Sequence, residues 1–480
     1  MGSIHDRQEG VLLATAAGDA LGAPFEFGPS FGPEIEISMS GGGVWGPGEF
    51  TDDTAMMIAI AEAAAAGLDL RTEAAQDQIV ARWRQWSRTT KDIGIQTGSV
   101  LRAATVDGKI TAARSRMESE RLHKETGHTA GNGSLMRTAP VALAYLDDEQ
   151  AMVEAARAIS ELTHFDPLAG DACVLWCAAI RHAVLTGELD VRVGLRHLNP
   201  ESRDEWARWV DEAEAHRPAH FSRNGFVVQA LQGAWSAIHH TPEPADDPLA
   251  GVFRADRLRL GLEAAIRGGK DTDTVAAIAG GLLGAAYGAS AVPLEWRQKL
   301  NGWPDATART LVQLASAIVH KGEPDEDDLR YGHASPDRWV RHPYDDNVVL
   351  GTVGVLRELP RDITAVVSMC RLLDCDIRTD MPHIEVRLID KEARDHNRHL
   401  DFVLLETVKT VERLRAEGHT VLVHCVGAQS RTPTVGALYA MRRAGLSADD
   451  ALNAMWQALG ECYRNEAFYS SLQRFEGGRR

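Results

Sequence analysis

The sequence lacks an excess of positive charge: 51 lysine and arginine residues face 68 aspartate and glutamate residues, for a formal net charge of -17 at pH 7. Nucleic-acid backbones and anionic membrane surfaces attract basic patches, so neither is expected to be a main partner. The sequence also begins without a basic segment followed by a long apolar one, and its longest apolar run, residues 275–289, is short of a membrane span. These features predict a cytoplasmic protein.

Cysteine is also scarce, and the six cysteines include no pair of CxxC units of the kind that binds zinc. Five of them are expected to be small, buried and chemically inert side chains: Cys173, Cys177, Cys370, Cys375 and Cys462. The sixth, Cys425, lies between an apolar β-branched run and a helical segment, where a thiol can act as a nucleophile.

The chain of 480 residues exceeds the size of one hydrophobic core, which predicts two or three domains. Over residues 1–325, apolar residues recur at three- and four-residue spacing in segment after segment, and alternating β-branched runs are almost missing. This pattern predicts an all-α domain of about ten helices, joined by loops rich in Gly, Pro and Asp.

Residues 345–480 differ, because short β-branched runs alternate there with helical segments. The runs are "ITAVVSMC", "HIEVRLI" and "TVLVHC", and their alternation with helices predicts a small α/β domain with a largely parallel sheet. Between the two domains, residues 321–347 are acidic and show no periodicity, which is typical of a linker or of an irregular crossing segment.

Two acidic motifs precede apolar helical segments in the first domain: "TDDT" at residues 51–54 and "DTDT" at residues 271–274. Thr51 and Asp271 occupy positions where helix N-caps belong, and acidic residues are favoured in a first helical turn, so capping explains part of the pattern. Each motif nevertheless offers more oxygen ligands than one cap uses, and hard cations such as Mg²⁺ bind such ligands. We therefore expect the two helix ends to meet at a site for one or two cations.

These motifs belong to a longer series, in the order "GVLLATAAGDALGAPFE", "TDDT", "GHTAGNGSLMRTAP", "ELTHFDP", "NGFVVQALQGAWSAI" and "GGKDTDTVAAIAGGLLGAAYG". The series resembles that of the ADP-ribosylglycohydrolases, the group typified by dinitrogenase-reductase-activating glycohydrolase, over roughly residues 5 to 300. The resemblance implies an all-helical fold, two Mg²⁺ ions, and removal of ADP-ribose from a modified protein side chain or a small ADP-ribosyl metabolite. The metal ligands that it implies are Thr51, Asp52, Asp53, Asp271, Asp273 and Thr274, with Glu26 nearby as a catalytic carboxylate.

The same resemblance implies a pocket for ADP-ribose. His164 would line it, with a structural histidine near a helix end as the alternative. Asp92 would contact the substrate ribose, but "DIGIQT" departs from the family's "DIGNTT" at Ile95 and Gln96, and a solvated loop aspartate is the alternative. Backbone N–H groups for phosphate would come from the turn of Gly131, Asn132, Gly133 and Ser134.

In the second domain, five residues separate Cys425 from Arg431 in "HCVGAQSRT", between a buried-type strand and a helix. This spacing closes a loop whose N–H groups and helix terminus face an anion, which favours the thiolate, and a guanidinium can bind two phosphate oxygens. The motif resembles that of dual-specificity phosphatases in the protein-tyrosine-phosphatase superfamily, over roughly residues 345 to 475. By that resemblance Cys425 attacks phosphorus, Arg431 binds the phosphoryl group and Thr432 assists breakdown of the thiophosphate. A structural cysteine in a phosphate-free turn is the alternative.

The phosphatase resemblance also implies an aspartate that acts as general acid upstream of the cysteine. Asp390, directly after the run "HIEVRLI", fits this role best. Asp395 and Asp401 compete with it, although Asp401 is expected to begin a helix as its N-cap.

The two resemblances together predict a bifunctional hydrolase, which combines Mg²⁺-dependent ADP-ribosyl hydrolysis with cysteine-dependent hydrolysis of phosphomonoesters. Its expected partners are an ADP-ribosylated protein or an ADP-ribose-derived small molecule, and a phosphorylated substrate. In the alternative, only one domain is catalytic and the other is a binding module for ADP-ribose or for phosphorylated ligands.

Overall fold

The computed structural model describes residues 2–322 and 337–477. The first range contains fourteen α-helices, more than the ten expected, because helices as short as α4, α6 and α13 are too short to show a clear apolar period. The helices are α1 (Gly2–Gly22), α2 (Asp52–Ala65), α3 (Glu73–Trp86), α4 (Ile95–Ala103), α5 (Ala112–Thr126), α6 (Ala139–Ala144), α7 (Glu149–Glu161), α8 (Pro167–Thr186), α9 (Pro200–Ala215), α10 (Val227–His240), α11 (Asp256–Ile266), α12 (Thr272–Tyr287), α13 (Leu294–Lys299) and α14 (Ala308–Val319). One short antiparallel pair, β1 (Asn301–Gly302) and β2 (Ala306–Thr307), accompanies them. The all-α prediction is confirmed.

The helices α1 and α12 form the centre of this unit, and their backbones touch. A Cβ atom placed on Gly18 would lie 2.1 Å from the carbonyl oxygen of Ala276, so only glycine fits there. At the end of α1, the Thr272 hydroxyl donates to the carbonyl of Gly22 at 2.9 Å. The close packing therefore sets the last turn of α1 against the first turn of α12, where one of the acidic motifs lies.

Apolar residues make α8 long and hydrophobic enough to cross a membrane, and among the described residues it is the one helix with this property. However, 78% of its apolar window is buried inside the fold. The Trp176 indole, for example, donates to the carbonyl of Ile278 on α12 at 2.9 Å. The apolar surface of α8 is therefore used in the protein core.

The second unit has a five-stranded sheet, whose strands lie in the order β3 (Trp339–His342), β4 (Asp345–Thr352), β7 (Val421–Cys425), β5 (Ala365–Ser368) and β6 (His383–Glu385). β3 pairs with β4 antiparallel, and the other neighbours are parallel, which confirms the predicted fold class. The helices are α15 (Leu400–Ala416), α16 (Arg431–Ala444), α17 (Ala448–Leu459) and α18 (Glu466–Glu476).

The central strand β7 is buried along its whole length, with Val421 and Val423 in the larger apolar cluster and Leu422 in a smaller one. This placement on both faces explains its continuous apolar sequence. The expected start of the unit at residue 345 is the first residue of β4, so β3 places the start of the sheet earlier than predicted. The linker prediction was wrong over residues 337–347, because a strand with only two apolar residues in four gives little signal. Residues 323–336 lie outside the described residues.

One continuous apolar cluster includes residues of both units. The Phe402 ring of α15 meets the Phe253 ring edge to face, with 5.7 Å between centroids. The His399 ring bonds to the carbonyl of Tyr287 at 2.8 Å, and the Arg398 guanidinium donates to the carbonyl of Ala286 at 2.8 Å. The units therefore share a core, which a linker between independent domains would not produce.

The cysteines differ from expectation at one position. Cys173, Cys177 and Cys370 are buried and Cys462 is half-buried, but Cys375 is exposed. Cys375 lies in a short 3-10 helix, Asp374–Asp376, that follows β5 and leaves the sheet. The prediction that all five are buried was wrong there, because proximity to a strand end does not place a loop residue inside.

Candidate functional site

The two acidic motifs lie at the N-termini of α2 and α12, as expected. Thr51 and Asp271 occupy the N-cap positions, yet neither side chain makes a capping hydrogen bond. The Thr51 hydroxyl instead donates to Asp53 at 3.1 Å and lies 3.5 Å from a carboxylate oxygen of Asp273. The side chains of one motif therefore contact those of the other, which simple capping does not explain.

The capping of α2 is done by Asp19, a residue that the sequence analysis did not select. Asp19 lies on α1, and its carboxylate accepts the Thr51 N–H at 2.8 Å and the Thr54 N–H at 3.0 Å. It also accepts the Thr54 hydroxyl at 2.6 Å. Asp19 was detectable in principle, because it is the single charged residue between Gly10 and Phe25 on a helix that must be buried.

Carboxylate oxygens gather here in two groups. Asp19, Asp53 and Asp273 form the first group, with one oxygen of each within 4.8 Å of the others. Glu26, Asp271 and Asp273 form the second by the same measure, so Asp273 belongs to both. One oxygen of Asp53 is buried and has no hydrogen-bond partner in the described part of the chain. An orphaned carboxylate oxygen inside an acidic group suits a hard cation, which supplies the missing charge.

Burial and mutual repulsion raise the pKa of each carboxyl group. Burial, followed by the charges of neighbouring carboxylates, raises the pKa of Glu26 to about 8 and that of Asp52 to about 7. Burial raises the pKa of Asp19 to about 6, and it raises the pKa values of Asp53 and Asp273 well above their usual range. Negative charge at this site therefore requires a counter-ion, either protons or a metal.

The remaining implied ligands are placed differently. Asp52 is half-buried and lies outside both groups, although its charge acts on Glu26. Thr274 is buried, with its N–H donated to Asp273 at 2.9 Å and its hydroxyl 4.0 Å from the Met136 sulfur. The structure therefore brings Asp53, Asp271 and Asp273 together with Glu26 and Asp19, and it sets Asp52 at the edge.

The expected phosphate turn contains a 3-10 helix, Asn132–Ser134, and lies beside the acidic groups. The Asn132 amide donates to Asp271 at 2.7 Å, which joins the turn to the second group. The Asn132 backbone N–H donates to the carbonyl of Gly225 at 3.1 Å, and the Ser134 hydroxyl bonds to Ser160 at 2.9 Å in the core. The backbone N–H of Asn132 is therefore already used inside the fold.

His164 packs directly against that turn. A Cβ atom on Gly133 would lie 3.1 Å from its Nε2 atom, so a larger residue would displace the ring. On the other side, Nδ1 lies 2.7 Å from the Thr163 hydroxyl, which accepts a hydrogen bond from Arg137 at 2.7 Å. Burial, assisted by the Arg137 charge, lowers the pKa of His164 to about 3, so the imidazole is neutral.

Asp92 and Gln96 differ in their surroundings and in their hydrogen-bond partners. Asp92 is exposed and accepts the N–H of Ile93 at 2.8 Å, yet its charge helps to raise the pKa of Glu26 and Asp52, which places it beside the acidic groups. Gln96 instead donates to the carbonyls of Thr129 and Thr163 at 3.1 Å and 3.0 Å. Gln96, at which the sequence departs from the family pattern, therefore stabilises the loop that carries His164 through these hydrogen bonds.

In the second unit, the loop between β7 and α16 joins Cys425 to Arg431. Cys425 is 1% exposed and ends β7, and α16 begins at Arg431. The Arg431 guanidinium donates to the carbonyls of Met369 and Leu388 at 2.7 Å and 3.1 Å. The Thr432 hydroxyl donates to the carbonyl of Gly351 on β4 at 3.4 Å. A strand, a loop and a helix N-terminus therefore converge on the thiol, an arrangement suited to an anion.

Of the three candidate general acids, Asp390 lies beside Arg431, with 3.7 Å between its carboxylate and the guanidinium. It also accepts the Tyr463 hydroxyl at 3.0 Å. Asp395 is exposed in a short 3-10 helix. Asp401 is 3% exposed and forms ion pairs with Arg394 and Arg474. It lies in the first turn of α15, and the N-cap of that helix is His399. The N-cap assignment for Asp401 was therefore wrong, and its role is to bind arginines.

Comparison with known proteins agrees with this geometry. A family model described as ADP-ribosylglycohydrolase matches residues 2–328, and one described as the catalytic domain of dual-specificity phosphatases matches residues 360–477. ADP-ribosyl-[dinitrogen reductase] glycohydrolase of Rhodospirillum rubrum is 30% identical over 332 residues, 66% of this chain and 98% of the relative. ADP-ribosylarginine hydrolase Tri1 of Pseudomonas putida (strain GB-1) is 29% identical over 341 residues, 68% of this chain and 82% of the relative.

A solved structure described as an ADP-ribosylglycohydrolase-related protein complex is also similar, with a TM-score of 0.50 and 26% identity. The similarity covers 67% of this chain and 100% of that one. The part of this chain that the similarity covers corresponds in length to the helical unit, which carries the acidic groups. The chain therefore belongs to the ADP-ribosylglycohydrolase family, as a hydrolase whose second unit is a dual-specificity-phosphatase domain.

Proposed function

We propose that the protein has two hydrolytic activities: Mg²⁺-dependent release of ADP-ribose at the helical unit, and cysteine-dependent hydrolysis of a phosphomonoester at the α/β unit. The observation that carries the first is the pair of carboxylate groups that share Asp273, since two adjacent groups of this kind suit two adjacent Mg²⁺ ions. Bound Mg²⁺ would supply an activated water and a grip on the ribose hydroxyls.

The protein's own side chains would then position the substrate and move its protons. Glu26 and Asp271 are the half-buried members of the second group, and we assign Glu26 the role of taking up a proton at the reacting centre. The His164 Nε2 atom faces the turn at Gly133, and in the tautomer with the hydrogen on Nε2 it would donate to the diphosphate. Asp92, exposed beside the acidic groups, is placed to accept a ribose hydroxyl.

For the scissile bond, we place the arginine linkage first. The relative from Pseudomonas putida, of which the match covers 82%, is named an ADP-ribosylarginine hydrolase. A serine linkage and a small molecule such as ADP-ribose-1″-phosphate are the comparison substrates. The same anomeric carbon of the ribose reacts in all three substrates. The relative rates of ADP-ribose release therefore decide which linkage is preferred.

At the second site, the Cys425 thiolate would attack phosphorus while the bond from phosphorus to the ester oxygen breaks. Asp390 would give its proton to the departing oxygen, and Arg431 would bind two oxygens of the transferring phosphoryl group. Water then cleaves the thiophosphate, which releases inorganic phosphate and restores the thiol. The 3.7 Å approach of Asp390 to Arg431 supports this assignment of the acid.

The test uses the purified full chain with ADP-ribosylated arginine peptides, ADP-ribosylated serine peptides and ADP-ribose-1″-phosphate, each in Mg²⁺ and in EDTA. Phosphatase turnover of p-nitrophenyl phosphate is followed in parallel, with Cys425→Ser as the matched variant. We expect ADP-ribose release in Mg²⁺ only, and p-nitrophenol release from the wild type only. Binding of ADP-ribose or phosphate without turnover at one of the sites would instead make that unit a binding module.

A further inference from the structure

The first half of α1 carries two buried carboxylates, although this helix packs in the core of the glycohydrolase unit. Asp6 accepts the Ser290 N–H at 2.9 Å within its own unit, and its carboxylate also lies 3.5 Å from the Arg387 guanidinium of the phosphatase unit. Glu9, with a side chain 7% exposed, accepts hydrogen bonds from Arg371 at 3.1 Å and from Arg387 at 3.2 Å, both in the phosphatase unit. A carboxylate so buried depends on paired charges, so Glu9 holds these arginines firmly.

The two arginines lie in the loops that leave the sheet at the phosphatase site. Arg371 follows β5, and Arg387 follows β6. These strands run parallel to β7, with Ser368 in register with His424, the residue before Cys425. The carboxyl ends of parallel strands meet at one edge of a sheet, and this edge carries the cysteine loop.

The same two loops hold the phosphate-binding arginine. The carbonyls that accept from Arg431 belong to Met369, close to Arg371, and to Leu388, next to Arg387. Asp390 comes shortly after Leu388 in the second loop and lies 3.7 Å from Arg431. Glu9 is therefore the carboxylate of the glycohydrolase unit that contacts both segments orienting the guanidinium and the general acid, whereas Asp6 contacts Arg387.

We propose that Glu9 is a positioning residue of the phosphatase site, so that the glycohydrolase unit completes the active site of its neighbour. The inference rests on the proposed phosphatase function. It predicts that loss of the Glu9 charge disturbs mainly proton donation by Asp390, while Arg431 and Cys425 still bind and attack the phosphoryl group.

The test compares Glu9→Gln in the full chain with Gln298→Ala. Gln298 accepts a hydrogen bond from Arg413 across the same interface, so its loss removes an interdomain contact that does not involve the phosphatase loops. Turnover is measured with p-nitrophenyl phosphate, whose leaving group needs little protonation, and with phenyl phosphate, whose leaving group needs more. Folding is followed by thermal unfolding, and ADP-ribosyl hydrolysis is measured on the same samples.

Glu9→Gln is expected to lower kcat for phenyl phosphate about tenfold and for p-nitrophenyl phosphate less, because a misplaced acid costs most where protonation matters. Gln298→Ala should leave both rates unchanged. If Glu9→Gln does not fold, Arg371→Met replaces it, because that half-exposed arginine can be removed without burying a new charge, and the same selective loss is expected.

Equal loss on both substrates, or no loss, in a folded Glu9 or Arg371 variant would overturn the proposal, since a merely structural contact changes only the folded fraction. The failure of the proposed function gives a different result: the wild type would then show no turnover that depends on Cys425. The two outcomes are thus separated by the wild-type control in the same assay.

Discussion

The two sites of this protein are built from different kinds of chemical group. The glycohydrolase site gathers side-chain carboxylates from α1, α2 and α12, and their burial raises the pKa of each far enough that a counter-ion is needed. The phosphatase site uses a loop and a helix N-terminus, with carbonyls that hold one arginine. The first site therefore needs a counter-charge, from protons or from a metal ion, whereas groups of the protein itself surround the thiol at the second.

The largest effect is expected at the residue that both carboxylate groups share. Asp273→Asn should abolish ADP-ribosyl hydrolysis, because it removes charge from both groups at once. Asp52→Asn, outside both groups, should be milder, and both variants should keep wild-type phosphatase turnover. Rates of ADP-ribose release from an ADP-ribosylated arginine peptide would show this order. An Asp52 variant as inactive as the Asp273 variant would contradict the ranking of the ligands.

A second large effect is expected at the phosphatase site. Arg431→Lys should lower phosphatase kcat/KM about a hundredfold, because an ammonium group cannot reproduce the two-pronged contact of a guanidinium with a phosphoryl group. The same variant should hydrolyse ADP-ribosyl substrate normally, since that site lies on other elements. Steady-state kinetics with p-nitrophenyl phosphate checks the first part. Retention of most activity by the lysine variant would show that charge alone, without the planar fork, serves this loop.

Metal removal should make stability depend on pH in a way that only the first site explains. Burial raises the folded-state pKa of Asp19 to about 6, of Asp52 to about 7 and of Glu26 to about 8. A carboxyl group with a raised folded-state pKa contributes stability below its unfolded pKa and loses it as pH rises through the folded value. In EDTA the chain is therefore expected to be more stable at pH 5.5 than at pH 8.

Saturating Mg²⁺ should reduce that difference, because the cation replaces the protons as counter-charge. Thermal unfolding at the two pH values, in EDTA and in Mg²⁺, measures both effects. Glu26→Gln is the matched variant and should show a smaller pH dependence in EDTA. An identical pH dependence with and without Mg²⁺ would mean that these carboxylates do not bind the ion.

The smallest effect concerns the packing that brings the helix ends together. Gly18→Ala should destabilise the fold by about 1–3 kcal/mol, because the added methyl group meets the backbone of α12. Gly170→Ala in α8 is the control: its Cβ atom would meet only a side chain at 3.5 Å, and alanine favours a helix. Denaturant unfolding compares the two. Equal stability of both variants would show that α1 and α12 can separate at little cost.

The sequence predicted some residues of the two sites and missed others. Asp53, Asp273, Cys425 and Arg431 were identified because their spacing carries the chemistry. Asp19 was missed because capping was assigned to Thr51 and Asp271, whereas the cap of α2 comes from another helix. A cap supplied from a distant segment leaves no local pattern.

The contact of Glu9 with Arg371 was also beyond prediction, since it joins residues far apart in the chain and depends on how the two units pack. The fold classes followed from periodicity, but β3 did not, because its four residues include too few apolar side chains to stand out. The sequence did not reveal contacts made by tertiary packing, and these include the contacts between the two units.

The account is tested most directly by calorimetric titration of the full chain with Mg²⁺, with ADP-ribosyl hydrolysis measured on the same samples. We expect two Mg²⁺ ions per wild-type chain, a loss of this binding in Asp273→Asn, and hydrolysis that appears in proportion to the bound metal. Mg²⁺ binding that is unchanged in Asp273→Asn, or wild-type hydrolysis that persists in EDTA, would contradict the claim that the two helix ends form one metal centre.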